Sequence, residues 1–510
     1  MEIVRRIRGN VHGSIDVTEM EDAVIAHPIF QRLRRIKQLA FLHYVFPGAT
    51  HSRFEHSLGV MHLAGKAWQK LECNQKRLMK TLKVHHDWPE LEWLPGNDGL
   101  VHGLLGEACG QVDQIFSSEY VLQVLRLAGL LHDLGHPPFS HTGEWFLPSW
   151  YQVREKNAHV SEYLLEYFDQ KIAKYGPKAR TIKVPHEILS ILLVERLLGQ
   201  IFTNHSSKMQ IDSRDVIALI VPEIEPVKDS PLVTTGALHL CRELVSGELD
   251  VDRMDYLLRD SRECGVVYGV FDVDRILDSL CFYYSALDKS LHLAISFSGL
   301  AAFEDFLRAR HSMYLQLYFH KTAVAAEAML EQIRSLLGDW HLPPDADSYA
   351  KIDEYNIFEV LKRSGHQLDD HSKELLTTLL SDLLLKRKLW KRVYEVTTNN
   401  EGEVWDDGLK AAEKYLSENN WPFQRISTAH ALTRFRPRPN AEPSCNYLKL
   451  IKKDEMLFPR VQPIEDFAKI IRANDRIQIH RIYAEIGNER EKCDLTQALS
   501  RELCRQFKSI

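Results

Sequence analysis

Leu131-His132-Asp133 closes an apolar run that starts near Val121 and is broken by Gly135-His-Pro-Pro138. An imidazole with an adjacent carboxylate, where a chain turns out of a helix, makes a poor pair of core residues. Together they can ligate one cation, or two neighbouring cations with the carboxylate bridging, if other helices bring further ligands. Groups of the right type stand on both sides: His56 in Arg53-Phe-Glu-His-Ser-Leu58, and Asp252 in Glu248-Leu-Asp-Val-Asp-Arg-Met-Asp-Tyr256. A single helix histidine is most often a satisfied core or surface residue; it is the ordered set His, His-Asp, Asp that points to a metal. Arg53 lies three residues before His56 on the same helical face, and guanidinium donors beside a metal suit phosphate oxygens. Asp252, Tyr256 and Asp260 recur every fourth residue, which lines them along one side of a helix. Arg310, Tyr314 and Tyr318 repeat that spacing, although an aromatic stripe of this kind is by itself more often packing than a ligand site.

The ordered H…HD…D set does not stand alone. Phe30-Gln-Arg-Leu-Arg-Arg-Ile-Lys-Gln-Leu39, Val45-Phe-Pro-Gly-Ala49, His51-Ser-Arg-Phe-Glu-His-Ser-Leu-Gly59, Ala128-Gly-Leu-Leu-His-Asp-Leu-Gly-His136, Pro138-Phe-Ser-His141 and Asp250-Val-Asp-Arg-Met-Asp-Tyr256 accompany it. With these motifs the sequence resembles the HD-domain phosphohydrolases, in particular their deoxynucleoside triphosphate triphosphohydrolase branch. The likeness runs in order over about residues 1–335 and covers 73–118 and the C-terminal part poorly.

The resemblance implies a mainly α fold with an HD-domain helical core, and an enzyme that hydrolyses dNTPs to deoxynucleosides and inorganic tripolyphosphate. It implies a metal held by His56, His132, Asp133 and Asp252 that activates water for attack at the α-phosphorus. His and carboxylate ligands suit Fe, Mn, Zn, Ni or Co, with Mg²⁺ bound alongside the substrate phosphates. By the same likeness Gln38 meets the 3′-hydroxyl, Leu39 the base, and Arg53 and Arg310 the phosphates. Arg253 stands where the branch has a phosphate-binding lysine, Tyr256 approaches phosphate or sugar, and Asp260 accepts from the 3′-hydroxyl. Tyr318 packs where it leaves little room for a 2′-hydroxyl. His141 is the expected general acid and His159 a second active-site histidine. Glu144 replaces an aspartate of the branch's vertebrate member, and His136 serves as a phosphate contact or a support behind the ligands. Homo-oligomers (dimer, tetramer or hexamer) and a nucleotide activator are also implied, but Arg8 and Ala26 replace an asparagine and a guanine-binding aspartate, so the same activator is not expected. Two alternatives remain open: an HD hydrolase acting on ribonucleotides, phosphodiesters or single-stranded nucleic acid, and a catalytically silent nucleotide sensor.

Elements must bring these groups together. Apolar spacing predicts helix from Asp22 to about Leu42, with Pro28 starting its main part, and a second helix capped by Ser52 that carries His56 and runs to about Ala67. Residues 73–118, rich in Gly and Pro, are expected to form a surface insertion or lid. Helices are predicted over Val121–Leu134, His159–Tyr175, Pro185–Phe202, Ser213–Ile220, Ala237–Leu244 and Val251–Asp260, then a strand at Leu291–Ser296 and one long helix from Gly299 to Leu336. An HD-domain core over 1–340 and a smaller α+β subdomain over 341–510 follow, the latter with helices at Ile357–Ser364 and Lys373–Lys386 and strands at Lys391–Val396 and Gln478–Ala484.

Composition narrows the partners. Of 510 residues 45% are hydrophobic and 26% charged, ordinary for a globular protein, and the net charge of −6 gives no overall case for a duplex-binding protein. No window approaches ~18 uninterrupted apolar residues, so no membrane span is expected. The first ten residues read as no secretory leader, and the eight scattered cysteines read as reduced thiols, which together predict a cytoplasmic protein.

Overall fold

The computed structural model describes residues 2–85, 94–95, 101–103, 116–204, 210–285, 288, 290–398, 404–430, 448–453, 459–464, 467–468 and 477–507. The chain opens with a hairpin, β1 (Ile3–Gly9) and β2 (Gly13–Thr18), paired antiparallel with Ile7 opposite Ile15. Helix α1 (Glu19–Ala26) starts on a capping box in which Thr18 and Glu21 bond each other's backbone nitrogens. The long helix expected from Asp22 does not form. At Pro28 the missing N–H ends α1, a short turn Pro28–Gln31 follows, and Arg32–Arg35 tightens into a 3₁₀ turn. This break lets the buried Arg32 side chain reach inward.

The central helices are α2 (Arg53–His85), α3 (Glu119–Leu131), α4 (Glu162–Tyr175), α5 (His186–Asn204), α6 (Ser213–Ile220), α7 (Leu238–Ser246) and α8 (Val251–Glu263). Helix α2 packs against both α3 and α8, and α3 is buried on nearly every side, its Gln123 and Arg126 satisfied there by Glu21. The expected insertion needs correction at its start, because residues 73–85 continue α2. Asn74 and Gln75, which blur the apolar period, use their amides on the neighbouring chain: Asn74 Nδ2 donates to Leu277 O (2.9 Å) and Leu280 O (3.0 Å), and Gln75 Oε1 accepts from Phe282 N (3.2 Å). Residues 86–93, 96–100 and 104–115 of that expected insertion lie outside the described residues.

Strands β3 (Leu94–Pro95), β4 (Val101–Gly103), β5 (Leu280–Ser285) and β6 (Ser290–Ser296) join β9 (Lys449–Lys453) and β10 (Pro459–Pro463) in a six-stranded sheet ordered β10-β9-β6-β5-β4-β3. Only the β6–β9 pairing in it is parallel. The single helix expected over 299–336 is two, α9 (Leu300–Met313) and α10 (Lys321–Leu337), separated by a π turn at Tyr314–Tyr318 and a new cap at His320. Helices α11 (Ile357–Ser364) and α12 (Asp370–Leu384) pack into the same core as α2, α3 and α10, so that core continues across residue 340. A second, smaller core lies beneath the antiparallel sheet of β7 (Lys391–Thr398), β11 (Ile477–Ala484) and β8 (Phe423–His430), covered by α13 (Val404–Glu418) and α14 (Glu489–Phe507). The molecule is thus mainly α, with a smaller C-terminal region in which helices and strands mix. Among the described residues no helix is long and apolar enough to cross a membrane.

Candidate functional site

Three elements deliver the ordered set. Helix α2 carries Arg53 and His56, the turn after α3 carries His132 and Asp133, and α8, capped by the Asp250 side chain, carries Asp252. His56 Nε2 lies 3.0 Å from Asp252 Oδ1 and 3.5 Å from Asp133 Oδ2; His132 Nε2 lies 3.4 Å from Asp133 Oδ1 and 3.5 Å from Asp252 Oδ1. One donor atom each from His56, His132 and Asp252 falls within 4.8 Å of the others. Both Nε2 atoms are buried and make no hydrogen bond, although carboxylate oxygens stand beside them. Buried ring nitrogens of this kind are costly unless something accepts their lone pairs, so the donor set fits a divalent cation.

The opposite ring atoms are fixed. His132 Nδ1 donates to Gly129 O (2.9 Å) and His56 Nδ1 to Asp255 Oδ2 (2.8 Å), which leaves each Nε2 as the free lone pair. Asp255, not picked out from the sequence, is fully buried and held well below the usual carboxylate range: burial opposes its charge, but Arg259, His12 and His56 outweigh it. Gly59 of α2 makes room for it, since a Cβ there would overlap the Asp255 carboxylate. Against burial, the neighbouring carboxylates of Asp252 and Asp255 push His56 up to about 10. The group is built to hold positive charge.

Next to it lies a second cluster. His136 and His186 stack with ring centroids 3.5 Å apart, His141 meets His136 edge-on at 4.7 Å, and Glu144 Oε1 accepts from His141 Nδ1 (2.8 Å) and His186 Nδ1 (2.9 Å). Burial, aided by Arg53 and His186, pushes His136 well down, whereas Glu144 overcomes burial to raise His186, so the two stacked rings are driven in opposite directions. His186 was not identified from the sequence; it opens α5 directly after Pro185, the one local signal that could have marked it. His159 requires correction. It is exposed beside Ser161, Glu195 and Arg196, in a surface cavity that shares no residue with this site. Its chain position precedes α4, whereas the start of α5 packs directly on the HD turn. Gly135 is what allows this approach, because a Cβ there would overlap the His186 carbonyl and the Ser190 backbone. Ser190 Oγ then donates to His132 O (2.7 Å) and accepts from Gly135 N (2.8 Å).

Arg53, nearly fully buried, donates to Asp133 Oδ2 and through Nε to Ser140 Oγ (2.9 Å). Phe139 (φ +66°) and Ser140 (φ +50°) are successive left-handed residues, a strained turn of the sort kept at functional sites. From Arg53 a cavity of about 300 Å³ opens, in which Gln38, Leu39, His141, Tyr256, Asp260 and Tyr318 share the wall with Glu327 and Thr428. Tyr318 Oη donates to Asp260 Oδ2 (2.8 Å) and His51 Nε2 to Oδ1 (2.8 Å), while Gln38 Oε1 is buried with no hydrogen-bond partner. Two expected phosphate contacts are engaged with carboxylates behind the cavity wall. Arg253 turns back on its own helix cap, bonding Asp250 Oδ2 (2.6 Å) and Gly247 O, and Arg310 Nη1 lies 3.5 Å from Glu248 Oε1. Neither lines the cavity.

Residues 104–260 match the HD domain and residues 271–420 the HD associated region. The chain is an HD-domain protein. An uncharacterized protein of Methanocaldococcus jannaschii is 28% identical over 326 residues, 64% of this HD-domain chain and 48% of its own length. A putative HD domain-containing protein of Acanthamoeba polyphaga mimivirus is 25% identical over 78% of this chain and 74% of its own. The human deoxynucleoside triphosphate triphosphohydrolase SAMHD1 is 27% identical over 82% of this chain and 56% of its own. This chain therefore spans about half the length of the first and the last of these relatives. In fold it is similar to the crystal structure of a phosphohydrolase from Bacteroides thetaiotaomicron, with TM-score 0.57 and 22% identity over 94% of this chain and all of that one.

Proposed function

We propose that the protein is a metal-dependent dNTP triphosphohydrolase, releasing a deoxynucleoside and inorganic tripolyphosphate. The observation that carries this reading is a single cavity whose wall combines Arg53 and His141, beside the histidine–aspartate group, with the Tyr318–Asp260 pair and the unpartnered Gln38 acceptor. His56, His132, Asp133 and Asp252 would hold the cation, which when bound supplies a Lewis acid and lowers the pKa of water for attack on phosphorus. Arg53, on the cavity wall, faces the charge that builds on the phosphate oxygens during attack at the α-phosphorus. The bond from phosphorus to the deoxyribose 5′-oxygen breaks, and His141, held through Nδ1 by Glu144, gives that oxygen its proton. Gln38 Oε1 accepts from the 3′-hydroxyl. The Tyr318 ring, fixed by Asp260, is the surface on which a deoxyribose rests and which a 2′-hydroxyl would crowd. Homo-oligomerisation and nucleotide activation belong to the same proposal.

The test is incubation with each of the four dNTPs and four NTPs, singly and mixed, in Mn²⁺, Co²⁺ or Mg²⁺, with products resolved by anion exchange and Asp133→Ala as control. Deoxynucleosides with tripolyphosphate, absent in the variant, are expected; turnover only in mixtures would reveal the activator. Monophosphates with pyrophosphate, or turnover of NTPs alone, would overturn the reading.

A further inference from the structure

Asp255 has four acceptor positions and four donors. His56 Nδ1 (2.8 Å) and Arg259 Nε (2.8 Å) bond Oδ2, while Arg259 Nη2 (2.9 Å) and His12 Nε2 (2.6 Å) bond Oδ1. Three donors come from α2 and α8; the fourth comes from the turn of the N-terminal hairpin, 243 residues away in sequence. The turn closes over this pair with a second residue, since Arg259 Nη1 donates to Asn10 Oδ1 (3.2 Å). His12 itself is nearly buried and stacks on His62 of α2 at 5.6 Å. The outer strand of the same hairpin is in solvent, with Ile3 and Val4 among the exposed apolar residues. The hairpin is thus tied to the interior at its turn, and the tie ends on the carboxylate that orients His56.

We propose that His12 is a positioning residue for the metal centre: by saturating Asp255 it fixes the His56 ring so that Nε2 faces the cation. This rests on the reading of His56 as a metal ligand. A carboxylate stripped of one of four donors in a buried site reorients to recover it, and His56 turns with it. Partners one step behind metal ligands commonly change affinity by about 10–100-fold. Binding linkage is reciprocal, so metal loading must also tighten the hairpin turn.

The experiment is titration of the full chain with Co²⁺, reading affinity and the visible spectrum for wild type, His12→Ala, His12→Gln, His12→Asn and Arg6→Ala. His12→Ala is expected to bind about tenfold or more weakly with an altered spectrum. His12→Gln, whose amide reaches Asp255, recovers both; the shorter His12→Asn does not. This pair decides the matter if the alanine variant fails to fold. Arg6→Ala, which breaks only the exposed Arg6–Asp16 pair of the same hairpin (2.7 Å), binds as wild type. Wild-type affinity in both His12→Ala and His12→Asn overturns the proposal. So does equal weakening in all variants, which would show a merely loosened hairpin. Absence of Co²⁺ binding to the wild type would instead sink the metal-site reading, and this inference with it.

Discussion

At the scale of single residues, the site is governed by what each buried polar atom lacks. Asp255→Asn keeps the shape of the side chain but exchanges one acceptor oxygen for a donor against the His56 and Arg259 N–H groups. It is expected to cost about 10–100-fold in metal affinity, measured by competition with a chelator. His141→Ala should lower kcat by about 10²–10⁴-fold with metal content unchanged, measured in steady state beside elemental analysis. Loss of metal together with activity would remove His141 from the acid role. Glu327 of the cavity wall is pushed up to about 7, mainly by burial, against the opposing effects of Thr142 and Arg481. The folded chain therefore holds this proton more tightly than the unfolded one. Stability falls as pH rises from about 4.5 to about 7, and the deficit is complete above that. Glu327→Gln is expected to melt higher than wild type at pH 8, by on the order of 2 kcal/mol, and to match it near pH 4.5.

At the scale of elements, the HD turn is held from outside its own helix. Arg32 donates to Leu134 O (3.2 Å), His136 O (2.8 Å) and Ile352 O (2.6 Å), Tyr349 Oη to Gly135 O (2.7 Å), and Ser190 to His132 O. Arg32→Met removes the Arg32 donors from the Leu134, His136 and Ile352 carbonyls, which should destabilise the protein by on the order of 3 kcal/mol or more in urea unfolding and blunt metal binding. The basic run Arg32-Leu-Arg-Arg35 reads from sequence as one charged helical face. Yet Arg32 is buried whereas Arg34 is exposed, because the helix breaks at Pro28 and the 3₁₀ turn rotates the side chains apart. The π turn at Tyr314–Tyr318 acts similarly. Its extra residue disturbs the four-residue stripe that spacing predicted, and Tyr318 ends on Asp260 while Arg310 ends near Glu248.

At the scale of the whole molecule, the cavity is completed by a residue from far along the chain, Thr428 of β8. The strand is held there by β11, whose Arg481 donates to Phe319 O (2.7 Å) just beyond the π turn. Thr428→Phe should therefore raise KM about tenfold, equivalent to ~1.4 kcal/mol, with kcat and melting temperature near wild type. Unchanged kcat and KM would place Thr428 away from the substrate.

His56, His132, Asp133 and Asp252 were legible because each sits in a short motif at a helix end or on a helix face, where side-chain direction follows from spacing. Tyr256 and Asp260 were legible for the same reason, and the mainly helical core from its 3.6-residue apolar period. Asp255 was in view beside them and left a local sign, the Asp255–Arg259 pair at i,i+4, but its role depends on His12 across the molecule. His186 and His159 both lie near the start of a helix, and beyond Pro185 before His186 no local pattern ranks one above the other. The choice belongs to Gly135, which lets α5 approach the HD turn where a larger residue would hold it away. Spacing along one helix is a local property that sequence determines; which helix end meets which turn is set by long-range packing, and only the tertiary structure decided it.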